Sequence, residues 1–451
     1  MYIPIIGLEI HVQLKTSTKM FCGCDAHIWG EPPNSHVCPV CLGLPGALPV
    51  INKKAVSQVI KMGLALNCKI NQKTFFERKN YFYPDLPKGY QTSQHRQPLC
   101  VNGLLSIGGK KVGIWDVHLE EDTAKSIHIK TEASKQKQAT KKEGYTLIDF
   151  NKSGIPLMEI VSAPDIRSAE EAVEYCKLIR QIVRFLEISD ADIEKGQMRF
   201  EVNVSLRKLK TKNKKSKTKE KLPDYRVEIK NLNSFRFVQK AIEYEIKRQK
   251  EVLKKGGKLT WETRGFDEKR EITVSQREKE QAKDYRYFPE PDLPPIEISN
   301  EEINQLKKEI PELPHQAYNR LIQTMGLNKV QAKILSREKS VLSYFDRLIQ
   351  TDLEPKKAAN TIINHPELIS RFSPYKLVEY LKREQSGQIT DEVELEKLVK
   401  KIIAENPKPV RDYLAGKTEV LHFLLGQVMK ETKGKADAKI ARTLLKTNLV
   451  H

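Results

Sequence analysis

The chain has 451 residues, of which 39% are hydrophobic and 30% charged, and its net charge is +20. That length supports a large buried core and two to four domains. No apolar run reaches the roughly 18 residues of a membrane span, and folding patterns begin almost at Met1, so a cytoplasmic protein with no targeting peptide and no membrane contact is expected.

The positive excess points to a polyanionic partner, with nucleic acid first. Part of it is local: the run 207–221 holds nine Lys/Arg and one Glu without apolar periodicity and reads as a basic loop. Removing that run still leaves a basic chain.

In chain order, residues 3–14 read as a strand. Leu8, Ile10 and Val12 take one face and Glu9 and His11 the other. A carboxylate beside an imidazole can bind a cation or handle protons. Cys22-x-Cys24 follows and, after thirteen intervening residues, Cys38-x-x-Cys41. Four thiolates at this spacing suit a closed, tetrahedral, structural zinc site, with unligated thiols as the alternative. A disulfide is the weaker reading in a cytoplasmic protein. His27 and His36 lie inside the loop as substitute ligands. Lys79–Gln91 packs aromatics, prolines and lysines into a rigid loop, either for phosphate or RNA or simply as a Pro-kinked, packed turn.

Strand-like runs then fall at 104–116, 145–150, 155–161, 199–206 and 225–231, with a polar loop at 130–143. They set acids in apolar surroundings: Glu120 and Glu121 in HLEED, Glu159, Glu201 with Asn203 on one face, and Glu228. Singly, each reads as a solvated outer position. Converging, they would form an oxygen-rich site for Mg²⁺.

Residues 168–188 predict a helix, with a Ser168/Glu171 capping box and a stripe from Ala172 to Leu186 that includes Cys176. A second helix, 235–255, ends at Gly256-Gly257. Pro289–Pro295 is a stiff break. Beyond it the pattern is helical, near 300–309, 315–325, 329–338, 339–351, 354–364, 375–383, 391–405, 419–431 and 436–447, with a polar stretch at Gly387 between two modules. The chain has no Walker-type phosphate loop and no G-x-S-x-G or serine-amidase signature.

Long, ordered motifs run through the chain: IGLEIHVQL at 6–14, MFCGC at 20–24, HVCPVCLGLPGALPVIN at 36–52, RKNYFYPDLPKGYQTSQ at 78–94, HLEED at 118–122, PLMEIVSAPDIRS at 156–168, VEIKNLNSFRFV at 227–238, DYRYFPEPDLPP at 284–295 and FLLGQVMKETKGKA at 423–436. On these the chain resembles the B-subunit family of bacterial aspartyl/glutamyl-tRNA amidotransferases. The resemblance implies an α+β protein: a catalytic cradle domain at 1–292 built on a mixed β-sheet with an embedded zinc site, a helical domain at 293–387, and a tRNA-binding helical tail at 388–451.

It also implies an activity. ATP phosphorylates the side-chain carboxylate of Glu-tRNA(Gln) or Asp-tRNA(Asn), and ammonia from a partner amidase subunit (A), in a heterotrimer with a small subunit (C), then displaces the phosphate. Carried over by position, Glu9, His11, Glu121, Glu159, Glu201 and Glu228 form the catalytic set, with Glu9, His11 and Glu121 on Mg²⁺ and Glu120 as the alternative to Glu121. Lys79, Asp85 and Lys88 line the ammonia passage; Cys22, Cys24, Cys38 and Cys41 bind zinc; Lys430, Lys433 and Lys435 contact tRNA phosphates. Glu201 stands where the family usually has Asp, one methylene shorter. A non-catalytic, zinc-containing tRNA-binding protein is the other reading. The archaeal E subunit, with its inserted domain, does not fit the length.

Overall fold

The alternation at the N-terminus is realised in a twelve-residue strand, Tyr2–Gln13, whose Leu8, Ile10 and Val12 are fully buried. It lies inside a sheet that is twelve-stranded among the described residues. The computed structural model describes residues 2–130, 144–208, 221–278, 285–351, 353–386 and 392–450. The expected loops at 130–143 and 207–221 and the stretch at Gly387 lie almost wholly outside them.

Two antiparallel neighbours flank the first strand, Pro156–Ser162 on one side and Met198–Lys208 on the other. Lys110–Glu121 pairs outside the former and Val227–Leu232 outside the latter. The expected run 104–116 is in fact two strands, Cys100–Ile107 and Lys110–Glu121, joined by a tight turn at Gly108-Gly109. Both glycines have positive φ, at 52° and 83°, which side-chain-bearing residues rarely adopt.

Helices Ala169–Phe185 and Phe235–Lys254 cover one face of the sheet. Tyr175, Cys176, Ile179, Val183, Val238 and Ile242 pack into one core with Leu8, Ile10, Met158, Ile160, Phe200, Val202, Val227 and Ile229. Each fully buried aliphatic side chain contributes about 1.5–3 kcal/mol, so this face fixes the register of all five strands. Ser168 accepts from the Glu171 amide at 3.2 Å, but the Glu171 carboxylate reaches the Arg167 amide and Lys110 rather than the Ser168 amide. Cys68, Cys100 and Cys176 are buried core residues.

The chain divides into two compact units, 1–317 and 318–451. The Pro-rich segment lies within the first: Phe288–Pro289 pairs with Glu77–Arg78, and Glu290 takes two hydrogen bonds from the Arg78 guanidinium. The second unit is helical. From 392 onward its helices, 392–405, 407–414, 420–431 and 438–450, share a core of Leu395, Val399, Leu424, Val428, Ala441 and Leu445. Among the described residues no helix is long and apolar enough to cross a membrane.

Candidate functional site

Directly opposed residues in a β-ladder project to the same face. The register therefore decides which acids meet. His11 lies opposite Glu159, and Glu159 opposite His118. On the other side Glu9 lies opposite Glu201, His11 opposite Arg199, and Asn203 opposite Glu228. The helices cover the apolar face, so all of these groups stand on the second one. A slip of one residue in any strand would send its acids into the core.

The side chains form two groups, each with ligand atoms within 4.8 Å of one another: Glu9, Glu201 and Glu228, and His11, Glu120 and Glu159. In the first, the Asn203 amide donates to Glu9 at 2.8 Å, Thr263 donates to Glu228 at 3.0 Å, and Lys230 Nζ lies 2.9 Å from Glu201. Burial, and then the charges of Glu159, Glu201 and Glu228, push the Glu9 carboxyl up to about 7. Burial and three neighbouring acids leave this carboxyl short of counter-charge, the nearby ammonium of Lys230 being engaged by Glu201. Three oxygen donors with such a deficit fit a hard divalent cation.

In the second group His11 Nε2 is 3.4 Å from Glu159, and His118 Nε2 is 3.3 Å from the same oxygen. His118 Nδ1 is 2.6 Å from Asp116. With carboxylates at both ring nitrogens, His118 donates at both and is held as the cation: burial opposes the charge, but Asp116, Glu120 and Glu159 outweigh it. His11 is likewise raised by Glu159 against burial. Glu159 is drawn well below the usual carboxylate range by His11 and His118, again against burial.

The structure brings Glu120, not Glu121, to His11 and Glu159. Successive residues of a strand point to opposite faces. Glu120 accepts from Ser93 at 2.8 Å and Gln91 at 3.1 Å. Glu121 accepts from the Thr92 amide at 2.9 Å, pairs with Lys88, and lines a separate cleft with Phe21, Cys22 and Cys41. Lys79 and Lys88 therefore serve different acids. Lys79 is raised by Glu120 and Glu159 against burial, while Lys88 sits on Glu121. The Asp85 carbonyl accepts from the Ala124 amide at 2.9 Å.

Sequence reading gave no role to His118, Lys230, Arg199 or Asp122. Their signal was present for His118, whose spacing to Glu120 repeats that of Glu9 and His11. Arg199 and Lys152 hold Asp122 at 3.2 and 2.9 Å, and Gln13 donates to it at 2.8 Å, extending the polar face beyond His11.

The sulfurs of Cys22, Cys24, Cys38 and Cys41 also lie within 4.8 Å of one another. Tetrahedral zinc with Zn–S near 2.3 Å needs this kind of cluster. The Cys38 amide donates to Cys41 Sγ at 3.2 Å, and the fully buried Lys19 places Nζ 3.6 Å from it. A buried ammonium needs an anion, so this lysine favours a thiolate at Cys41, and the donor set fits zinc. His27 and His36 turn to Asp25 and Glu31 instead.

In the second unit Lys430, Lys433 and Lys435 are exposed around the turn between 420–431 and 438–450. Lys433 and Gly434 have φ of 52° and 79°, and the Gly434 amide donates to Met429 O at 2.7 Å, closing the helix end.

Both halves of the chain match family models of known proteins. Residues 4–304 match the model of the GatB/GatE catalytic domain and 297–449 that of the GatB domain. Proteins named as the B subunit of aspartyl/glutamyl-tRNA(Asn/Gln) amidotransferase are similar nearly end to end. That of Carboxydothermus hydrogenoformans is 43% identical over 99% of both chains, that of Persephonella marina 43% over 98% of both, and that of Thermotoga maritima 40% over 98% of both. With both domain models matched in order and the acids of the first gathered on one sheet face, the chain belongs to the GatB/GatE family.

Proposed function

We propose that the chain is the synthetic subunit of a tRNA-dependent amidotransferase, a ligase subunit of protein biosynthesis, which converts Glu-tRNA(Gln) or Asp-tRNA(Asn) to the amide. An oxygen of the aminoacyl side-chain carboxylate attacks the γ-phosphorus of ATP; ADP leaves and an acyl phosphate forms. Ammonia, made by glutamine hydrolysis in a partner amidase subunit, then attacks the acyl carbon and displaces inorganic phosphate. The observation that carries this reading is the convergence of acids and cations from five strands on one face.

In this reading Glu9, Glu201 and Glu228 hold Mg²⁺, since they offer only oxygens. When bound, the ion supplies charge neutralisation at the phosphoryl oxygens. Lys230 adds positive charge at Glu201, and Lys79 at Glu120 and Glu159. Glu159 orients His11 and His118, and Asp122 fixes Arg199. The four cysteines hold a structural zinc, and the exposed Lys430, Lys433 and Lys435 position tRNA through its phosphates without reading bases.

The test is reconstitution of the complex with its amidase and small subunits and both charged tRNAs. Amide formation is expected only with ATP and Mg²⁺. Amidation at the same rate without ATP would remove the phosphorylation step from the scheme.

A further inference from the structure

Past Glu9 the polar face opens into a second cleft, lined among others by Gly7, Glu9, Trp115, Asn203, Arg226 and Trp261. Two of its features have no role in the site described above, and a third has only part of its amide engaged there. The first is Trp115. Pairing between Pro156–Ser162 and Lys110–Glu121 jumps from Val161 opposite Asp116 to Ser162 opposite Ile114. Trp115 is thus the extra residue of a β-bulge. It stands 49% exposed beside Asp116 instead of entering the core. Bulges re-aim side chains in this way beside active sites.

The second is Trp261, 48% exposed. Its indole is fixed, with Nε1 donating to Asp224 O at 2.9 Å and the Arg226 guanidinium 5.0 Å from the ring centre. The third is Asn203. Its Nδ2 is committed to Glu9, but Oδ1 is buried with no partner, in a side chain of a residue only 7% exposed. A buried carbonyl without a donor is costly and marks a place where a ligand supplies one. Two half-exposed indoles, one of them with a guanidinium over its ring, and one edge acceptor match a flat heteroaromatic ring that carries an amino group.

We propose that this cleft binds an adenine base, stacked on the tryptophans and donating its amino N–H to Asn203 Oδ1. The inference rests on the phosphorylation reading. Under that reading two adenosines reach this face: that of ATP and the one that ends the tRNA. Glu9 lines both the cleft and the acidic group, so a base in the cleft leaves its attached phosphate or ribose ester at the acids.

The experiment uses the assembled complex and measures dissociation constants for a non-hydrolysable ATP analogue, the matching inosine nucleotide, inorganic tripolyphosphate, and uncharged tRNA with and without its 3′-terminal adenosine. Trp115→Ala and Trp261→Ala are expected to weaken an adenosine ligand at least about tenfold, the scale of base–aromatic stacking, and to leave tripolyphosphate unchanged. Trp115→Phe should restore most of the loss. Where the nucleotide is the occupant, the inosine nucleotide, with a carbonyl in place of the amine, should bind the unmodified complex at least about tenfold more weakly.

Loss confined to the ATP analogue assigns the cleft to the nucleotide; loss confined to intact tRNA assigns it to the tRNA end. Tryptophan variants that bind both as tightly as the unmodified complex, or that lose tripolyphosphate equally, overturn the adenine site. An unmodified complex that binds neither nucleotide nor tripolyphosphate overturns the phosphorylation reading itself.

Discussion

The cysteine knuckle draws its four sulfurs from Cys22 to Cys41, whereas the acidic face draws its carboxylates from strands spread between Glu9 and Glu228. The first site is closed by short-range chain geometry and two turns. The second exists only when five strands pair in the right register and the helices at 169–185 and 235–254 bury the opposite face. Their charges are balanced differently too. The sulfurs have one buried lysine, Lys19, and a backbone amide; the carboxylates are interleaved with Lys79, Lys230, Arg199 and two histidines. A local site can fail alone, but the register-built one fails with the sheet or through loss of single groups on its surface.

The sharpest way to separate the two regions is the neighbouring pair Glu120 and Glu121. Glu120→Gln should lower amidation by about 10²–10³-fold, the usual scale for one electrostatic group at a reacting centre, while glutamine hydrolysis by the complex persists. Glu121→Gln should cost far less, because Glu121 faces the knuckle side. Equal losses in steady-state amidation assays would erase the distinction between the faces.

Next in size, Cys38→Ser should lose bound zinc by elemental analysis and lower Tm by a few degrees. Amidation by the remaining folded protein should stay within a few-fold. A collapse of amidation at full zinc occupancy would tie the knuckle to the chemistry.

The smallest effect is a pH slope. Glu9 faces Glu159, Glu201, Glu228 and Asn203, and its folded value of about 7 lies above the ordinary 4.5. Stability linked to this group is complete below about pH 4.5 and is lost as pH rises through 7. In metal-free protein, denaturant melts from pH 4.5 to 8 should show this loss. Glu9→Gln should remove its share of the slope, and Mg²⁺ should flatten what remains. A slope identical in the variant would place the effect elsewhere.

The knuckle was legible from spacing alone, since C-x-C and C-x-x-C state their own geometry. The helices at 169–185 and 235–254 were legible from caps and stripes. The acids were legible as candidates because each interrupts an apolar strand. Which of two adjacent acids enters the site was not. Glu120 and Glu121 differ by one step of the pleat, and parity depends on where the ladder begins and where it is bulged, which only the partner strand reveals. His118 was passed over because a histidine beside acids reads as surface until Asp116 and Glu159 are seen on both its nitrogens. The short strands Glu77–Asn80 and Tyr90–Ser93 were hidden in a segment rich in proline and aromatics.

The bulge at Trp115 also bears on how this strand tolerates change in length. Removing a residue elsewhere in Lys110–Glu121 would invert every side chain on one side of the gap, sending Val112 and Ile114 out or His118 and Glu120 in. Removing Trp115 itself would instead heal the ladder to Pro156–Ser162, since Ile114 and Asp116 already pair with successive residues across it. On the other edge Trp115 stands in register opposite Asn102, between the Val101–Asp116 and Gly103–Ile114 pairs, so the same deletion would pass the extra residue to Asn102, whose φ is already 57°.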